Sequence, residues 1–147
     1  MLCKKFDIKD KTSDTKIKDY KEVNILQIIN NNPMFKEHFN EDMTMKEFFD
    51  KKRELELEFD HIIPRTFANK IWDKFEAFKE VVETKGLEEL IMIVSNLFNN
   101  ERNIQLLTNT ENNAKHNNIF EKDYELRDSI YNELVKEIVN LYLRLMA

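Results

Sequence analysis

The chain has 147 residues, one Gly, two Pro, one Cys and a formal charge of −5. A single cysteine excludes a disulfide framework and a four-cysteine zinc site, scarce Gly and Pro exclude a turn-rich β-sandwich, and no apolar run is long enough to span a membrane. The negative balance excludes a general nucleic-acid binder, because non-specific affinity comes from Lys and Arg neutralising phosphates; any such function needs a local basic patch, a metal or a partner.

The length suggests one domain with a small helical extension. With 41% hydrophobic residues and eleven Phe, a sizeable and largely aromatic core is expected. Charged residues stand where a signal peptide would be apolar, so the cytoplasm is the expected compartment.

Residues 1–15 mix Lys, Asp and Thr with little that is apolar and read as a loosely attached tail. From Ile17 to Ile29 the positions of Ile17, Tyr20, Val23, Ile25, Leu26, Ile28 and Ile29 predict a helix with a wide apolar stripe. The run Asn30-Asn31-Asn32-Pro33 ends it. After a linker holding His38, Thr44 and Glu47 have the spacing of a capping box and predict a helix to about Arg53, burying Met45, Phe48 and Phe49.

The period then changes. Leu55, Leu57 and Phe59 alternate with Glu54, Glu56 and Glu58, which predicts a strand over 54–59 with the glutamates on a solvated face. Asp60 and His61 fall at its exit and Pro64 stops the ladder. Helical spacing returns over 67–85, ends at Gly86, and resumes over 87–98, giving an αα-hairpin. Ile104 to Leu107 is a second short strand. Thr108, Asn109 or Thr110 can cap a helix carrying Asn112, Lys115 and His116. The longest helix is predicted over 123–146, with Leu126, Ile130, Leu134, Ile138, Leu141 and Leu145 as its stripe.

The polar residues at the two strand ends suggest a chemistry. Cleaving a phosphodiester near neutral pH needs a base for water, a cation for the developing charge, and a fixed orientation for the base. His61 is the candidate base because imidazole titrates near neutrality. Asp60 is a hard oxygen ligand. Asn112 and His116 are four residues apart, so on a helix they share a face and can reach one ion. The side chain of Asn103 can fix the backbone or ring of His61, and Arg65 and Lys115 are the nearest cations for phosphate.

Phe59-Asp60-His61-Ile62-Ile63-Pro64, together with Asn103-x-x-x-Leu107 and Asn112-x-x-Lys115, resembles the HNH endonucleases, whose core is a ββα-metal unit. The resemblance implies that Asp60 and Asn112 bind a divalent metal, that His61 is the general base, that Asn103 positions it, and that His116 corresponds to a second helix ligand found in some members. It implies an α+β, mostly helical fold: a ββα-metal core within 54–147, an inserted helical hairpin at 67–100, a C-terminal helix, and a tail with a helical extension over 1–53. Mg²⁺ is the expected ion for such oxygens; coordination by His116 would bring in Mn²⁺, Ni²⁺ or Zn²⁺. The implied substrate is nucleic acid, double-stranded DNA above all, in a restriction, defence, phage or mobile-element setting.

Three features depart from the family. Thr108 and Glu111 stand where many members carry zinc cysteines, the gap between His61 and Asn103 is long, and the basic character is missing. The last predicts a protein partner, or a parent polypeptide, that supplies DNA recognition. Two alternatives follow from the same residues. One is a catalytically idle HNH-like binding or assembly module. The other is a purely helical interaction protein, which holds if the two strands do not pair.

Overall fold

The computed structural model describes residues 1–147. The chain forms two compact units, one of residues 6–62 with 100–116 and one of residues 1–5 with 63–99 and 117–147. This grouping follows contacts, where the expected division at residue 53 followed sequence order. The fold is α+β and mostly helical, with a single two-stranded antiparallel sheet.

The first unit holds the sheet. Its helices are α1 (Ile25–Asn31), α2 (Met45–Glu54) and α6 (Asn109–Lys115), and its strands are β1 (Leu57–His61) and β2 (Ile104–Thr108). The strands pair in the register Leu57↔Thr108, Glu58↔Leu107, Phe59↔Leu106, Asp60↔Gln105 and His61↔Ile104. One face of the pair carries Leu57, Phe59, Ile104 and Leu106 onto an apolar cluster with Phe6, Ile28, Met45, Phe48 and Phe49. Phe59 meets Phe6 edge-on at 5.0 Å and Phe48 at 6.3 Å.

An isolated two-stranded ladder is marginal in water, and this one is braced from two sides. The aromatic cluster covers one face. Along β2, the Asn31 amide donates to the carbonyls of Glu101 and Ile104 at 2.7 and 2.8 Å, and the Asn32 amide donates to that of Leu106 at 2.8 Å. Asparagines expected only to stop a helix thus also serve as partners for backbone acceptors that a third strand would otherwise satisfy.

Three expectations in this unit need correction. The N-terminal segment is not loose from Phe6 on: Phe6 and Ile8 are buried members of the cluster. Two apolar side chains suffice to anchor it despite the charge around them. The first helix begins at Ile25, not Ile17, because the Ile17 amide donates to the Met43 carbonyl at 2.9 Å and Lys16 bridges Thr44. Asn24 then caps the helix through the Gln27 amide. Finally, β1 begins at Leu57, not Glu54. The Thr44–Glu47 capping box starts α2 as expected, but the helix runs through Glu54, and Glu56 reverses the chain with φ of 56°.

The second unit contains α3 (Arg65–Trp72), α4 (Glu76–Lys85), α5 (Leu87–Phe98) and α7 (Tyr124–Met146). The helix expected over 67–85 is two helices. Asp73 to Phe75 close tight turns, with Lys74 and Phe75 amides donating three residues back to Ile71 and Trp72. The chain folds back so that the Trp72 indole donates to Glu83 at 3.2 Å and stacks on Phe75. Both α4 and α5 pack on α7, where Phe78 stacks on Tyr142 at 4.1 Å and Arg144 bonds Glu89 at 2.9 Å. Ile130, Leu134, Ile138 and Leu141 are fully buried, as the stripe predicts. Leu87, the first residue of α5, is exposed. Gly86 ends α4 with an ordinary negative φ of −144°; a Cβ added there would meet Leu145 Cδ1 at 2.7 Å, the end of a side chain that can turn aside.

Cys3 also belongs to this unit and is buried. The Lys4 amide donates to Ser95 Oγ and the Lys4 carbonyl accepts from Asn99, both at 2.9 Å, so the main chain here is tied to the end of α5. Burial pushes the Cys3 thiol from its ordinary 9.0 to about 11, and the nearby Arg65 charge only partly opposes this. A raised acid pKa means that the native state holds its proton longer than the unfolded state does. The associated stability is full below about pH 9 and is lost as pH rises towards 11. Urea unfolding at stepped pH should therefore show wild type losing more stability than Cys3→Ala between those limits, by about 2 kcal/mol. Parallel curves for the two proteins would contradict a buried, proton-holding thiol.

Candidate functional site

Asp60, Asn112 and Lys115 lie on the face of the sheet away from the aromatic cluster. Side chains alternate along a strand, so Glu58 and Asp60 project to one face of β1 and Leu57, Phe59 and His61 to the other. On the Glu58–Asp60 face lies α6, which follows β2 directly. Its start is set by a complete capping box. The Glu111 amide donates to Thr108 Oγ1 at 3.1 Å, and the Thr108 amide and hydroxyl donate to Glu111 Oε1 at 3.0 and 2.9 Å. These are the two residues found where the HNH resemblance would call for cysteines. They hold the strand-to-helix turn themselves.

Two rungs join α6 to β1. Lys115 Nζ lies 3.2 Å from Asp60 Oδ2 and donates to the His61 carbonyl at 2.9 Å. One turn earlier, Asn112 Nδ2 donates to Glu58 Oε2 at 2.7 Å. Gln105, opposite Asp60 in the ladder, donates to the same Oδ2 at 3.0 Å. Asp60 is 7% exposed and Lys115 is 4% exposed, so the pair is internal.

Asn103 is fully buried, and its carbonyl accepts the Ile62 amide at 2.8 Å, one residue past His61. The main chain at His61 is therefore held from three directions: by Ile104 across the ladder, by Lys115 on its carbonyl, and by Asn103 just beyond it. The half-buried His61 stands at the end of β1.

The structure thus brings Asp60, Asn112 and Lys115 to one interface, with the backbone of His61 and Asn103 at its end. It treats three other expectations differently. His116 does not continue α6 but caps it, exposed, with φ of 49°, so the argument that it shares a helix face with Asn112 does not hold. Lys115 is not turned outward to a phosphate; it is the internal counter-ion of Asp60. Arg65 opens α3 in the other unit, and its guanidinium donates to the Cys3 carbonyl at 2.9 Å.

Sequence reasoning also missed two residues. Glu58 was assigned to a solvated face, yet it is half-buried and bonded to Asn112. Its position two before Asp60 was the available signal, since period two puts both on one face. Gln105 had no such signal, because only the cross-strand register sets it against Asp60.

The oxygen-rich donor set suits a hard divalent ion in kind. Asp60 Oδ2 accepts from Gln105 and faces the Lys115 ammonium at 3.2 Å, so an ion on this carboxylate would use Oδ1. Nowhere do three or more His, Cys, Asp or Glu side chains converge to hold a metal, so any ion here would also need amide oxygen and water. No helix is long and apolar enough to cross a membrane. No protein-family model, characterised protein or solved structure matches the chain.

The internal pair has a measurable consequence. Removing one member of a buried ion pair leaves the other charge uncompensated, which costs about 3–5 kcal/mol, whereas an apolar pair of similar volume costs far less. Lys115→Met should destabilise by about that amount in urea unfolding, and adding Asp60→Leu should recover most of the loss. A Lys115→Met protein as stable as wild type would show that the contact is not made in solution.

Proposed function

We propose that this chain is a metal-dependent endonuclease of the HNH type that hydrolyses phosphodiester bonds of nucleic acid, double-stranded DNA in the first instance. The observation that carries the reading is the β1–α6 interface, where Asn112 against Glu58 and Lys115 against Asp60 bring residues distant in sequence to one face of the sheet, on the strand that ends in His61. The strands also pair, so the chain is not purely helical.

In this reading Asp60 and the Asn112 oxygen bind Mg²⁺. When bound, the ion supplies positive charge to the scissile phosphate and the departing oxygen. His61 takes the proton from the attacking water. Asp60 and His61 are adjacent on the strand and diverge to opposite faces, so the phosphate sits across the strand end between them. Asn103 and Lys115 fix the His61 backbone, which orients the base before substrate arrives. Lys115 also holds the Asp60 side chain in place.

A second reading, a catalytically idle binding module, draws support from the same Lys115, whose ammonium already balances Asp60. A plasmid assay separates the two. Supercoiled DNA should be nicked in Mg²⁺ or Mn²⁺ and spared in EDTA, with His61→Ala slower by about 100-fold or more and Tm unchanged. Nicking by His61→Ala at the wild-type rate would overturn the assignment of the base; a wild type inert with every divalent ion would favour the idle module.

With a formal charge of −5, the protein is poorly suited to grip DNA alone. We infer that a partner, or a longer polypeptide containing this chain, supplies recognition. Duplex DNA should then bind the isolated protein only weakly at moderate salt in fluorescence anisotropy. Tight, salt-resistant binding would contradict the need for a partner.

A further inference from the structure

We propose that Glu58 is a positioning residue of the metal site, holding the Asn112 amide in one of its two orientations so that the oxygen, not the nitrogen, is presented for coordination. The inference rests on the metal-site reading above and deepens it.

Three observations lead there. Glu58 and Asp60 are two apart on β1 and share the face covered by α6. Asn112 and Lys115 are three apart on α6 and share the face that looks back. The cross-contacts are matched: Lys115 to Asp60 and Asn112 to Glu58.

The chemistry of the second contact decides the orientation. An ionised carboxylate only accepts hydrogen bonds, whereas the Asn amide has a donor end and an acceptor end. At 2.7 Å from Glu58 Oε2, the Asn112 group in contact must be the NH₂. The Asn112 oxygen is therefore turned away from Glu58, free of competition from its own nitrogen. A flipped amide would set oxygen against carboxylate, a repulsive contact, and would offer a metal two hydrogens. The charge on the acceptor also shortens and strengthens the bond. Groups that orient a ligand in this way typically change metal affinity by about 10–100-fold when removed.

The alternative role for Glu58, as a ligand of the ion itself, is separable by substitution. Glu58→Gln keeps an oxygen able to accept from Asn112 but removes the charge that would draw a cation. Glu58→Ala removes both. Metal affinity is read by titrating Mn²⁺ into the full chain and following the free ion by electron paramagnetic resonance. The Asn112 side-chain NH₂ is followed in the metal-free protein by ¹H–¹⁵N correlation, assigned through its loss in Asn112→Asp. Cleavage is read in parallel.

The proposal expects Glu58→Ala to weaken Mn²⁺ binding by about 10-fold or more and to move the Asn112 NH₂ signals to the positions of a solvent-exposed amide. Glu58→Gln should recover most of the affinity and keep those signals dispersed. Equal loss of affinity in both variants identifies Glu58 as a ligand and overturns the positioning role. Wild-type affinity in Glu58→Ala overturns the positioning role as well. An unfolded Glu58→Ala would leave Glu58→Gln and the amide spectrum to decide. If wild type binds no Mn²⁺ while its Asn112 amide is held by Glu58, the contact is purely architectural and the metal-site reading itself fails. Wild-type binding with no effect at Glu58 defeats only the present inference.

Discussion

A buried ammonium sets the geometry on which the candidate site depends. Lys115 reaches from α6 to the Asp60 carboxylate and the His61 carbonyl. Burying these charges need not stabilise the fold relative to an apolar pair. What it does is specify. An ammonium taken out of water must find its acceptors, and few placements of α6 on β1 supply both a carboxylate and a strand-end carbonyl. Gln105 adds a matching condition from β2, because a shift of one residue in the ladder would turn it to the other face. One lysine thus ties together the helix position, the strand register and the main chain beside His61.

The rest of the sheet-bearing unit makes that arrangement affordable. The apolar face of the ladder is covered by Phe6, Phe48 and Phe49, and β2 carbonyls are satisfied by Asn31 and Asn32. Stability comes from one face and one edge, and on the opposite face Glu58, Asp60 and Gln105 stand beside the buried Leu107 and make their contacts with each other and with α6. The Thr108–Glu111 capping box starts α6 at the point where β2 ends. With no residues between strand and helix, the direction of α6 is set by the direction of β2.

Much of this was legible in local pattern, and the failures have identifiable causes. The capping box at Thr44, the span of α5 and the stripe of α7 are encoded within a few turns of chain, where spacing alone decides the outcome. The start of α1 was misplaced because the Ile17 amide is claimed by Met43, a partner far along the chain. The helix expected over 67–85 breaks at Asp73 without Gly or Pro, since Trp72 gains a stacked ring and a carboxylate partner when the chain folds back. His116 was placed by helical arithmetic that stopped applying one residue too soon. Glu58 was judged by its charge when its strand face was the better guide.

The order of residues by itself determined the spans of α5 and α7 and the presence of both strands, that Asp60 and His61 sit side by side at a strand end, and that Asn112 and Lys115 ride a short helix. Those are properties of backbone period and capping, which depend on neighbours only a few positions away. The tertiary structure alone decided that Lys115 would be internal, that Gln105 would lie opposite Asp60, and that Glu58 would take the Asn112 amide. Each of those depends on how two segments separated by a long insertion align, and a partner that distant leaves no periodic trace in the chain that it meets.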